Sequence, residues 1–138
     1  MKIYSAKDKV DIKVQDVVVS ISPLTFQQKG EIQVDLVEYE KNGSTKALID
    51  GSFKAIKYAV KKIKGFKTVH DEDYELEFED NGVLKDECVN DLLNTEISSE
   101  LTTICIGLLN GIPTKIVNPV TGEPLEGIKI LNPKKGKA

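Results

Sequence analysis

Arginine and tryptophan are absent from this chain: all 19 basic residues are lysine, and aromatic side chains make up 6%. Arginine is the usual bidentate reader of phosphates and guanine edges, and aromatics interleaved with cations form the stacking platforms of single-strand binders. Lacking both, and carrying an acidic middle that would repel a phosphate backbone, the chain is not built as a nucleic-acid reader. Histidine is nearly missing as well. His70 is the only one, so a triad or an imidazole metal site would rest on it alone. It sits among acids rather than beside a nucleophile, and it reads as an exposed loop residue. Cys88 and Cys105 are too isolated for a zinc site and too few for a disulfide framework; both read as buried small hydrophobes. No apolar run approaches the roughly 18 residues of a membrane span, and Met1-Lys2-Ile3-Tyr4 leads into no signal-peptide core, so a cytosolic protein is expected.

The motifs of catalysis are missing too. There is no phosphate-binding glycine loop, dinucleotide fingerprint, nucleophile elbow or spaced calcium-ligand loop. Carboxylates are paired only in the acidic stretch, where no apolar pocket separates their pKa values. The expectation is therefore a protein that is not an enzyme and that holds no metal and no cofactor.

What is present is enough for a core: 138 residues with 40% hydrophobic content fit one domain, expected over 1–112, with an arm over 113–138. The net charge of −3 hides an uneven distribution. Ser44 to Lys67 holds seven lysines and one aspartate, whereas Thr68 to Glu100 holds twelve acids and one lysine.

The stretch from Thr45 to Gly65 carries the clearest pattern. Leu48, Ser52, Ala55, Ala59 and Ile63 recur at spacings of three and four, with Ile49, Phe53, Ile56 and Val60 alongside, which predicts a helix with a broad apolar side. Ser44 or Thr45 suits its start, Lys61, Lys62 and Lys64 suit the negative end of its dipole, and Gly65 suits a left-handed stop. Gly51 costs such a helix about 1 kcal/mol against alanine and marks close packing.

Before it, Val10, Ile12 and Val14 alternate with polar residues and Val17 to Ile21 is β-branched, which predicts a hairpin turning at Gln15-Asp16; Met1 to Tyr4 offers a third strand. Ser22-Pro23 reads as N-cap and first helical position of a helix from Pro23 to about Glu40. That helix groups Phe26 with Val37, and Ile32 with Leu36 and Tyr39. A strand is the competing reading, since Ile32, Val34 and Leu36 alternate and Gly30 interrupts. Beyond Gly65, seven acids occupy the ten positions from Asp71 to Asp80, while Tyr74, Leu76 and Phe78 alternate through them. This reads as an edge strand or extended loop with the three apolar residues inward, or as a set of acids facing the preceding lysines.

Val83 to Leu93 suits a short helix with Leu84, Cys88 and Leu92 in one row and Val89 and Leu93 beside it. Ser98 or Ser99 suits the cap of a last helix, with Leu101, Ile104, Cys105 and Leu108 as its apolar stripe. Both are expected to pack on the central helix. From Pro113 on, Ile116-Val117 and Ile128 to Leu131 read as strands or as an extended arm, ending in a small basic terminus that reads as a solvated, mobile tail. The fold class expected is α+β: an N-terminal β-hairpin, a small helical bundle around the 45–65 helix, and an extended or β C-terminal arm.

The order of a β-rich start, Ser22-Pro23-Leu24-Thr25 leading into a helix, a helix from Phe53 to Gly65 ending Lys-Gly-Phe, an acidic segment, and a last helix from Leu101 to Leu109 resembles the small tail assembly chaperones of long-tailed bacteriophages. The likeness spans residues 10 to 110 in outline. It implies a non-enzymatic protein of the host cytoplasm that binds the long, hydrophobic tape measure protein and keeps it soluble until the tail tube polymerises around it. Helical apolar side chains would then shield partner helices. The contacts it suggests are Phe53, Ile56, Val60, Leu101 and Leu108, although each reads first as a core residue. Self-association into a homo-oligomer is open to such a protein. A structural virion protein (a decoration, adaptor or tube-associated subunit) that assembles through its C-terminal arm and charged faces is the alternative.

Overall fold

The computed structural model describes residues 3–5, 7–112 and 128–131. Strands β1 (Val10–Val14) and β2 (Val17–Ile21) form the expected hairpin, joined by a two-residue turn that holds Gln15 at φ 54°. Tight hairpins need such a left-handed residue because only that turn matches the twist of the flanking strands. Ile3 to Ser5 are not strand, and Met1 and Lys2 lie outside the described residues.

Helix α1 spans Phe26–Asn42, so the helical reading of this segment holds over the strand. Its start differs from the one expected at Ser22-Pro23. Thr25 is the cap: its Oγ1 accepts from the Gln28 N–H at 3.1 Å, while Gln28 Oε1 accepts from the Thr25 N–H at 3.0 Å. This reciprocal pair satisfies two otherwise orphaned donors. Ser22 instead lies just past β2, where its N–H donates to the carbonyl of Ala59, the last residue of the following helix, at 2.9 Å.

Helix α2 begins at Thr45, capped by Ser44, but it ends at Ala59 rather than at Gly65. The next five residues form strand β3 (Val60–Lys64), with no loop between. The reason lies in the neighbour. The apolar residues Val60 and Ile63 stand three apart, which suits a helix, but the open edge of β2 offers a ladder of hydrogen bonds that a few more helical residues cannot match. A register irregularity at Ser20/Ile21 absorbs Lys61. Gly65, at φ 94°, thus ends a strand, not a helix, and a β-carbon there would stand 3.1 Å from the Asp16 carbonyl oxygen in the hairpin turn.

Strand β4 (Ile128–Leu131) pairs antiparallel with β1, giving a four-stranded antiparallel sheet in the order β3-β2-β1-β4. The described end of the C-terminal arm therefore lies on the sheet of its own chain. The predicted strand at Ile116-Val117 and the basic terminus from Asn132 lie outside the described residues.

Between β3 and the third helix the acidic segment makes no continuous strand. Two isolated bridges, Lys67↔Asp73 and Phe78↔Leu84, close two short loops. Tyr74 and Leu76 pack on the core as the alternation predicts, while Phe78 stays 38% exposed. Helix α3 spans Asp86–Leu93 and helix α4 Ser98–Gly107, continued by one 3-10 turn. No side chain caps α4; Ile97 occupies the cap position where Ser98 or Ser99 was expected.

The architecture is two-layered α+β, with Val10, Ile12, Val14, Val17, Val19 and Ile21 on the sheet face that joins the helical core. Leu84, Cys88, Val89 and Leu92 from one side and Leu101, Ile104, Cys105 and Leu108 from the other close the core against Ala55, Ile56 and Ala59 of α2.

Candidate functional site

Of the five residues that the family resemblance suggests as contacts, Ile56, Val60 and Leu101 are 0% exposed and Leu108 is 1% exposed. They meet in the core, joining α2 and α4 to the sheet, and have no surface to lend while the fold holds. Phe53 is half-buried on the core's rim.

Among the described residues, Ile3, Ile49 and Val69 are exposed singly, whereas α1 gathers several exposed apolar side chains on one side. This helix lies along α2 with Gly51 against Asp35 and Leu36, with Lys54 Nζ 2.8 Å from Asp35 Oδ2, and with the Tyr58 hydroxyl donating to Glu31 Oε1 at 2.5 Å. Those contacts, with Ile32 fully buried and Leu36 half-buried, orient the helix. On the side turned away from them lie Phe26, Gly30, Val34 and Val37, at helical spacings of four, four and three. Phe26 is 90% exposed, Val34 69% and Val37 46%, and the space around Gly30 is open. Glu38 and Glu31 border the stripe on one side, Glu40 and Lys29 on the other. Single exposed apolar residues are ordinary; a contiguous row on one helix with charged margins is the pattern of a docking surface. The grouping of Phe26 with Val37, apart from Ile32 and Leu36, was its signal in the sequence.

His70 is exposed, and its backbone N–H donates to Thr68 Oγ1 at 3.2 Å. Burial pushes the Cys105 thiol up to about 12, and it pushes the Tyr58 phenol to about 12 as well, helped by the bond to Glu31. Tyr74 is raised in the same way, by burial first and then by its hydrogen bond to Asp91. Burial lowers Lys61, and the nearby Lys9 adds to that shift. Among the described residues, no three His, Cys, Asp or Glu side chains converge as a metal site, and no helix is long and apolar enough to cross a membrane.

Fold and surface together define a small two-layer α+β protein that, among the described residues, carries an exposed apolar row on α1. Compared with known proteins, the chain matches no family model, no curated relative and no solved structure.

Proposed function

We propose that this protein acts without catalysis, as a tail assembly chaperone of a long-tailed bacteriophage that binds the tape measure protein in the host cytoplasm and keeps it soluble. The observation that carries the reading is the outward stripe of Phe26, Val34 and Val37 on α1. An amphipathic partner helix that would otherwise aggregate gains by burying its apolar face there, and mass action then holds the partner in solution. The stripe takes the role first offered to Ile56, Val60, Leu101 and Leu108, whose burial commits them to the fold.

Co-expression with a long, helical tape measure protein tests the proposal. The wild-type chain is expected to move that protein into the soluble fraction, and Phe26→Ser with Val34→Ser to lose the effect while remaining folded. Failure of the wild-type chain to raise solubility would overturn the reading.

A second reading, a decoration, adaptor or tube-associated subunit of the virion, is favoured by the lysine-rich outer face of the sheet described below. Mass spectrometry of purified particles separates the two: a structural subunit is present in many copies, a chaperone is not.

A further inference from the structure

The sheet has a second face, turned away from the helical core, and its register gathers lysines there. Lys129, Lys13, Val18 and Lys64 stand directly opposite one another across the four strands, and the next row on the same face is Leu131, Asp11, Ser20 and Lys62. All four lysines are exposed. The one acid in the two rows, Asp11, already accepts a 2.5 Å hydrogen bond from Ser20 Oγ. Neighbouring strands lie roughly 4.8 Å apart, so Lys13 and Lys129 are adjacent cations. Like charges directly opposite each other in a sheet are destabilising. Among the described residues, the five ion pairs involve none of these four lysines. A face of this kind is stabilised by an anionic surface laid against it.

The same chain displays such a surface. All seven acids between Asp71 and Asp80 are exposed, and among the described residues only Asp73 and Glu77 are paired, to Lys67 and Lys85. Asp71, Glu72, Glu75, Glu79 and Asp80 have no ion pair among the described residues. No ion pair among the described residues joins this segment to the sheet-face lysines of its own chain, so their complementarity is free to act between copies.

We propose that the lysine face of the sheet in one copy docks on the acidic segment Asp71–Asp80 of a second copy. The two surfaces differ, so the contact is head-to-tail and each bound copy exposes both surfaces again, which builds a ring or an open filament rather than a closed twofold dimer. Nucleic acid fits the face less well. The two rows carry no arginine and no aromatic side chain to read or stack on a base. The inference does not depend on which partner α1 serves.

Sedimentation velocity of the full chain tests it at about 0.01 M salt, where charges act over roughly 30 Å, and at about 1 M, where they act over roughly 3 Å. The wild-type chain is expected to associate at low salt and to dissociate at high salt. Lys13→Glu with Lys129→Glu, and separately Glu72→Lys with Glu75→Lys and Glu79→Lys, are each expected to weaken self-association by on the order of tenfold or more. An equimolar mixture of the two variants is expected to associate again, because each then offers what the other lacks. Lys13→Gln with Lys129→Gln, which removes charge without reversing it, is expected to fall between wild type and the glutamate variant, with circular dichroism reporting that all variants are folded. A wild-type chain that stays monomeric at low salt overturns the proposal, as does a mixture that stays monomeric. Salt-dependent retention of the monomeric wild type by random-sequence DNA would overturn it in favour of nucleic acid.

Discussion

Gly51 of α2 lies so close to α1 that a β-carbon on it would stand 3.2 Å from the Cβ of Asp35 and 3.4 Å from Leu36 Cδ2. The approach is what lets Lys54 reach Asp35 and Tyr58 reach Glu31 one and two turns along. Gly30, in the middle of α1, has nothing within 4 Å of its would-be Cβ. The two helical glycines therefore predict opposite outcomes. Gly30→Ala is expected to stabilise by about 0.5–1 kcal/mol through helix propensity and a less free unfolded chain. Gly51→Ala is expected to lose that gain to crowding, and Gly51→Leu to destabilise by about 1–3 kcal/mol. Urea unfolding of the three variants measures both signs.

The capping box at the head of α1 gives a second prediction. Thr25→Ala removes the acceptor for the Gln28 N–H and breaks the reciprocal bond. A loss of about 1 kcal/mol is expected, and Thr25→Ser is expected to recover most of it. The midpoint of denaturant unfolding reports the difference.

Core and surface apolar residues should separate cleanly. Ile56→Ala empties a fully buried site and is expected to cost about 2–5 kcal/mol. Val34→Ala, on the outward stripe, is expected to change stability by no more than about 0.5 kcal/mol. If Val34→Ala costs as much as Ile56→Ala, the stripe is not free surface.

Alkaline pH should weaken the fold. The Cys105 thiol, ordinarily near 9.0, is pushed up to about 12 by burial in α4. Between those values the unfolded chain has given up the proton and the folded chain keeps it, so stability is fully present below about pH 9 and falls as pH rises through this window, by up to about 1.4 kcal/mol per pH unit. Tyr58, raised from 10.0 to about 12, acts with the same sign at the upper end. Replacing Cys105 with alanine is expected to flatten the slope between pH 9 and 10, measured as unfolding free energy against pH. Thiol reagents are expected to reach Cys105 only as fast as the chain unfolds.

Much of this architecture is visible in the order of residues because it depends on local rules. Alternation in Val10 to Val14 followed by a β-branched run describes a hairpin. Ser44 before an apolar-periodic stretch describes a helix start. The rows Cys88, Leu92 and Leu101, Ile104, Cys105 describe two helix faces, and all of these residues are buried, whereas Leu84, placed by spacing at the head of the first row, lies before α3 and bridges Phe78 instead. Where local signals compete, the neighbours decide. Val60 and Ile63 are spaced as in a helix, yet the run is strand because β2 has a free edge beside it and the irregularity at Lys61 brings both apolar residues to the core face. Ser22 is a good N-cap by type, but its backbone is taken by the Ala59 carbonyl, leaving the cap to Thr25.

The candidate site follows the same division. That α1 carries two apolar groupings can be read from spacing; which of them faces solvent is set by Gly51, Lys54 and Tyr58, residues far along the chain. The row Lys129, Lys13, Val18, Lys64 draws on four separate strands, and no stretch of sequence contains it. The amino-acid sequence alone determined the lack of arginine, the charge asymmetry, the hairpin, and the apolar faces of the helices, since these depend on composition and on contacts a few residues apart. Tertiary structure alone decided where α2 turns into β3, which apolar residues are withdrawn from solvent, and which lysines share a face, because register and burial are set by partners brought together from across the chain.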